Sequence, residues 1–355
     1  RSLYTRLRVP ERSQLKFRQL LAEYPFGVRM DYGNAESFLA YYGDPYAVEL
    51  PWDRPESLAE HVRRRAEALR QLLAERRTRE PQLTLDIDPE AVLQSVEEAG
   101  YAELRDWNRR LEAGLIGERE REFVRHSART EAARAEITAK FDEILAGGDD
   151  DAARWLEVNT WRSLVALDGD HTVVRRFGLE EDLTPRSFAP GVGNTPDMEY
   201  YSPRLVLVPE VSLMSGVRQW THEGAAVVDH VFRLIGDHGE DARPVIGLFI
   251  APTLHERTRW QFFVLNRQSW RGEPVPVIPF EVGVWRDLLA HAYEARLSSA
   301  ELEELIFCLH RAAFAARDVS EWCAEMARRI DAWKTGRPPE NHLPARQATL
   351  PLGET

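Results

Sequence analysis

Residues 196–213 read PDMEYYSPRLVLVPEVSL and residues 244–252 read PVIGLFIAP. The first stretch holds two β-rich runs, 196–201 and 204–213, which meet near Ser202-Pro203 and predict a tight antiparallel hairpin. The second is a continuous apolar run, as expected of a strand covered on both faces. Between them, residues 216–236 carry Val217, Trp220, Val227, Val228, Val231, Phe232 and Ile235 as apolar positions of a helix. The chain therefore crosses over through a helix before its next strand, which predicts a mixed sheet flanked by helices.

Working outward, HTVVRRF (171–177) predicts one more strand before the hairpin. VPVIPFEV (275–282) predicts the last strand, and its prolines suit an edge. Helices are expected at 254–268, 285–297, 299–316 and 318–333. Upstream the pattern is helical, with helices at 13–25, 57–79, 89–98, 102–113, 118–145 and 151–167 and an irregular connector at 30–53. On the helix at 57–79, Leu58, Val62, Leu69, Leu72 and Leu73 form the apolar face. Asp88-Pro89-Glu90 reads as an N-cap followed by proline at the first helical position. Gly147-Gly148-Asp149-Asp150 breaks the chain and marks the expected boundary. The result is an α/β chain with a helical part at 1–150, a sheet domain at 151–335 and a mobile tail at 336–355.

Composition narrows the function. With 355 residues, 43% hydrophobic and 29% charged, the chain can bury a sizeable core. No run approaches the ~18 apolar residues of a membrane span. Residues 1–12 hold charges rather than an apolar signal core, so a cytoplasmic protein is expected. Two cysteines, Cys308 and Cys323, cannot build a disulfide scaffold and read as reduced thiols. A net charge of −12 is unlike a simple polyanion binder, but an enzyme that holds metal with carboxylates is not excluded by bulk charge.

The chemistry centres on Glu210. A carboxylate inside an apolar strand costs several kcal/mol unless it is paired or bound to metal. An arginine such as Arg162, Arg204 or Arg218 would satisfy it, and so would a cation. Asp197 lies 13 residues earlier, across the hairpin, where its side chain can reach the same end of the sheet. Glu157 on the preceding helix and Glu223 on the following one could join them. Gln219 shares the helical face of Glu223 at i, i+4. Such a set, with the Val211 carbonyl, suits Mg2+, with Mn2+ as a substitute, and a hard ion of that kind activates water against a phosphodiester. His222 and His230 read as ordinary helix residues, and their spacing does not place them on one helical face.

The pattern resembles the PD-(D/E)xK nuclease motif with one departure. Glu210-Val211-Ser212 offers serine where the motif has lysine, and no lysine occurs between residues 141 and 333. TPDMEYYSPRLVLVPEVSLMSGVRQWTHEGAAVVDHV followed by PVIGLFIAPTLHERTRWQFF is similar to the cleavage module of the AlwI-type (type IIS) restriction endonucleases and the large subunits of heterodimeric nicking endonucleases. Asp197, Glu210, Val211, Ser212, Leu213, Gln219, Glu223, Val228 and His230 carry the likeness, and LEVNTWRSLVAL (156–167) extends it to Glu157. YYGDPYAVELPW (41–52) resembles the family's connector.

The resemblance implies a Mg2+-dependent endonuclease acting on DNA, in restriction or another defence setting, with a homodimer or second nuclease subunit and no membrane partner. Asp197 and Glu210 would hold the ion, assisted by Glu157 and the Val211 carbonyl, and Gln219 or Glu223 would position the water. Arg162, Arg218, Arg257 and Arg259 are candidate phosphate contacts. The family's separate recognition domain has little room before residue 15, which leaves three readings open: a recognition part upstream of this sequence, DNA contact by the helices of 57–145, or a chain without sequence specificity that acts in another setting such as defence. Two rival readings stay open: a catalytically defective nuclease-fold subunit that binds DNA or assembles, and a helical adaptor whose acids are paired with arginine.

Overall fold

The computed structural model describes residues 55–79, 86–147, 151–186, 195–238, 243–270 and 272–336. The helix expected at 13–25, the connector at 30–53 and residues 337–355 lie outside these. The chain divides into two units, one drawn from Arg1–Ser127 and Phe177–Gly193, the other from Ala128–Arg176 and Asn194–Thr355.

The first unit contains helices α1 (Pro55–Arg79), α2 (Pro89–Ser95) and α3 (Tyr101–Glu122), the last running into a π turn at Phe123–Ser127. Leu58, Val62, Leu69 and Leu73 are buried together with Leu111 and Leu115 of α3, while Leu72 is left exposed. Asp88 caps α2 as expected, its side chain accepting from Glu90 N at 3.3 Å. The break expected near residues 113–118 is absent, because Gly114 is a packing glycine and not a helix breaker. A Cβ there would meet Leu69 Cδ2 at 3.1 Å, so its absence lets α1 and α3 close up. Arg65 is wholly buried and bonds Glu112, Glu181 and Asn108.

The second unit begins before the boundary expected at residue 150. Helix α4 (Glu131–Ala146), capped by Thr130, buries Ile137, Phe141 and Ile144. It is tied to α5 (Ala152–Val165) by Asn159 Nδ2, which donates to Ile137 O at 2.9 Å. The glycine-aspartate break thus separates two helices of one unit.

The sheet follows. It contains β1 (Thr172–Arg175), β2 (Met198–Tyr201), β3 (Val206–Val211), β4 (Val245–Ala251) and β5 (Val277–Glu281), in that spatial order. β1 and β3 each pair antiparallel with β2, while β3, β4 and β5 run parallel. The mixed sheet, the hairpin and the proline-bearing edge strand are as the sequence predicts. All seven residues of β4 are buried.

The crossover helix differs from a uniform one. A short turn at Gly216–Arg218 leads into a π turn at Gln219–Glu223, and only then does α6 (Gly224–Asp237) begin. Gly247 lets α6 approach β4, since a Cβ there would lie 2.6 Å from Val231 Cγ2. Helices α7 (Glu256–Arg267), α8 (Val282–Glu294), α9 (Ser299–Ala315) and α10 (Val319–Lys334) complete the unit around buried Phe262, Trp285 and Trp322. Helix α8 starts three residues earlier than expected, directly after β5. Both cysteines are free, with Cys308 buried and Cys323 half-buried. Among the described residues, no helix is long and apolar enough to cross a membrane.

Candidate active site

Hairpin register decides whether the two acids meet. Tyr200 faces Leu207 and Tyr201 faces Val206. The same register continued three residues places Asp197 opposite Glu210, and opposed residues of an antiparallel pair share a face. Two bonds fix Asp197 there. Its carbonyl accepts from Arg176 N beside β1 at 2.9 Å, and its Oδ2 accepts from Val211 N, also at 2.9 Å.

Glu210 is 7% exposed, and no arginine pairs with it among the described residues. Arg162 goes to Glu136 at 2.9 Å and Arg204 to Glu304 at 2.7 Å, which removes two of the expected ion pairs. Glu210 Oε1 instead meets His230 Nδ1 of α6 at 2.5 Å. His230, set aside in the sequence, is therefore part of the site. Seven residues separate it from Glu223, two helical turns on one face, and that spacing is the signal that could have found it.

Glu157 and Glu223 lie close enough to the pair for their charges to act on it. Burial, and then the charge of Glu210, hold the Asp197 carboxyl well above the usual range, against the pull of the Val211 N–H. Burial raises Glu210 to about 8, with the Glu223 and Glu157 charges adding to it. Glu157 rises to about 7 through burial and the Asp197 charge. Glu223 is raised by burial, moderated by His222 and by a hydrogen bond to Ser212. Burial and the nearby Arg233 lower His230, so Glu210 and His230 favour a neutral, proton-sharing pair when no cation is bound.

The π turn ends on Glu223, which is half-buried. Its first residue, Gln219, is fully buried and bound to backbone on every side. Nε2 donates to Met214 O at 2.9 Å and Thr253 O at 2.7 Å, and Oε1 accepts from His255 N at 2.8 Å. This clasp joins the loop after β3, the π turn and the loop after β4, and leaves the amide no free donor for a water. Ser212, at the position of the motif lysine, is buried, accepts from Met214 N at 3.0 Å and bonds Glu223. Ser212 is a second site residue whose side chain carried no role in the sequence reading.

The four candidate arginines differ. Arg162 and Arg259 are engaged by Glu136 and by Glu281, the latter at 2.7 Å. Arg257 stacks over Trp220 at 5.2 Å, and Arg218 is exposed on the turn before the π turn.

In donor chemistry the site fits a hard divalent cation. Asp197 and Glu210 are adjacent buried carboxylates, both raised chiefly by burial and then by neighbouring negative charge, a cost that positive charge would relieve. Among the described residues, no group of three or more His, Cys, Asp or Glu side chains is arranged to hold a metal. A bound ion would then keep several waters, as Mg2+ commonly does.

The class to which such a chain belongs is that of the restriction endonucleases. A family model described as "AlwI restriction endonuclease" matches residues 11–288, more than three quarters of the chain. The chain belongs to the AlwI restriction endonuclease family. Among solved structures, the small subunit of the heterodimeric restriction endonuclease R.BspD6I is similar at 18% identity and a TM-score of 0.46, covering 56% of this chain and 97% of that one. No curated protein matches the sequence.

Proposed function

We propose that the protein is a divalent-metal-dependent endonuclease that hydrolyses phosphodiester bonds in DNA. The observation that carries this reading is Asp197 opposite Glu210 at the end of the hairpin, with no arginine on Glu210. Asp197 and Glu210 would hold Mg2+ or Mn2+, with the Val211 carbonyl and waters as further oxygen donors and Glu157 adding negative charge nearby. When bound, the ion supplies charge for the phosphate and an acidified water.

The chain's own groups do the rest. Val211 N–H fixes the Asp197 carboxylate, and His230 holds one oxygen of Glu210, so the other can face the substrate. Glu223, steadied by Ser212, orients the attacking water in line with the leaving oxygen and takes its proton. Burial raises its carboxyl, which makes it a stronger base than an exposed glutamate. Gln219 serves as the brace that keeps Glu223 at this position. Arg218 and Arg257 are the phosphate contacts with the freest side chains. One such site cuts one strand, so double-strand cleavage requires a second copy or a second nuclease subunit.

The test is a supercoiled plasmid incubated with Mn2+. Conversion by the wild-type chain to nicked or linear DNA supports the reading. An untouched plasmid, together with calorimetry showing no Mg2+ or Mn2+ binding, favours the defective-subunit alternative.

A further inference from the structure

Helix α7 turns its apolar face inward, burying Phe262, Phe263 and Leu265. It nevertheless carries a second stripe on the outside. Arg257, Trp260 and Val264 fall at i, i+3 and i+7 and are all exposed, Trp260 by 56%. Trp220 of the π turn lies under the Arg257 guanidinium. Met214 and Val217, 41% and 55% exposed, continue the apolar surface toward the loop after β3.

The patch is built onto the site already described. Trp220 is three residues from Glu223 in the same π turn. Gln261, next to Trp260, donates to Gly224 O at 3.2 Å, and the Gln219 clasp holds the start of α7 to the π turn. Both tryptophans are thereby tied to the turn that carries Glu223. Its charge fits one kind of partner. The chain has a net charge of −12, and among the described residues Arg218 and Arg257 form no ion pair while most other arginines pair with carboxylates. Tryptophans interleaved with unneutralised arginines match the stacking platforms that bind bases by their π faces and the backbone by charge. A protein partner of ordinary composition would not call for positive charge at this point.

We propose that Trp220, Arg257 and Trp260 form a stacking platform for an unpaired nucleotide of the strand cut at the adjacent carboxylates. This rests on the nuclease reading and adds that the substrate is single-stranded or opened at the cut.

The test separates the two claims. Full-length protein carrying Glu210→Gln, so that nothing is cut, is titrated by fluorescence anisotropy with a labelled single strand of roughly 12 nucleotides and with its duplex. The platform predicts that Trp260→Ala and Arg257→Ala each weaken single-strand binding about five-fold or more and duplex binding less than about two-fold. Trp260→Phe should recover most of the loss, and the single strand should quench tryptophan fluorescence less in Trp260→Ala. Both alanine side chains would be exposed, and unchanged melting curves check that the variants are folded. Unchanged single-strand affinity, or equal weakening of both ligands, overturns the platform. Loss of self-association by Trp260→Ala on a sizing column, with DNA affinity unchanged, overturns it in favour of a protein interface. If the wild-type chain nicks plasmid while Trp260→Ala binds normally, only the platform fails. A chain that binds neither oligonucleotide and leaves plasmid intact ends both readings.

Discussion

Replacing Glu210 by Gln removes one ionisable group and keeps a polar partner for His230. In the folded protein Glu210 titrates at about 8, against an ordinary value of 4.5. A carboxyl raised on folding contributes stability that is full below about pH 4.5 and is lost as pH rises through the folded value. Between about pH 6 and about pH 8.5 the folded carboxyl passes from mostly protonated to mostly ionised, while the unfolded one stays ionised throughout. Linkage over that window costs the wild-type chain roughly 2.5 kcal/mol. The Gln variant does not incur this loss, and Asp197 beside it is relieved of a repelling charge. The variant should therefore gain about 2–3 kcal/mol on wild type across the window, or roughly 3–5 °C in Tm for a chain of this length. The assay is thermal unfolding of both proteins in chelator at the two pH values. A gap that stays constant would refute the argument, since it would mean that Glu210 is already ionised in the fold. A variant less stable than wild type by the same amount at both pH values would mean that Glu210 is held by a positive charge, as in the adaptor reading.

Other expectations follow from single contacts. Mn2+ should raise the Tm of wild type more at about pH 8.5 than at about pH 6, because protons and cation compete for the same oxygens, and Asp197→Ala should abolish most of this gain. Gln219→Ala leaves two carbonyls and one N–H of the clasp without their partner and should cost about 2–4 kcal/mol in a denaturant melt. Arg65→Ala removes the shortest ion pairs of Glu112 and Glu181, leaving the longer ones to Arg186 and Arg64, and should cost about 3 kcal/mol. A cost below ~1 kcal/mol would show that water replaces the guanidinium. His230→Ala should lower plasmid cleavage while leaving Mn2+-free stability at about pH 6 within ~2 kcal/mol of wild type, because His230 orients Glu210 and does not neutralise it.

The sheet was legible because its strands are apolar on both faces or alternate cleanly, and because a parallel crossover after a hairpin leaves few topologies. Asp197 and Glu210 were legible for the same reason, since two-residue strand periodicity and a short hairpin fix which side chains face each other. The helices were harder. Gly114 looks like a breaker in one dimension and is a contact point in three. The π turn at Gln219–Glu223 inserts extra backbone into a helical pattern, and no periodicity announces it. That insertion changes what Gln219 and Glu223 share. By α-helical spacing they lie on one face, yet Gln219 turns inward to backbone and Glu223 faces the acids. His230 was missed because its spacing from Glu223 points to a shared helical face but does not name the strand residue that the imidazole meets. The unit boundary moved because α4 is amphipathic in its own right, and only its partner α5 tells which core it joins.

The central claim is that Asp197 and Glu210 together make the chain a metal-dependent nuclease. The most direct measurement compares wild type with Asp197→Asn on supercoiled plasmid in Mg2+ and in Mn2+, the two proteins being matched by their melting curves. The account predicts conversion to nicked or linear DNA by wild type in either ion, none in chelator, and loss of at least about a hundred-fold in rate for Asp197→Asn. Equal cleavage by both proteins, or cleavage by wild type undiminished in chelator, would contradict it.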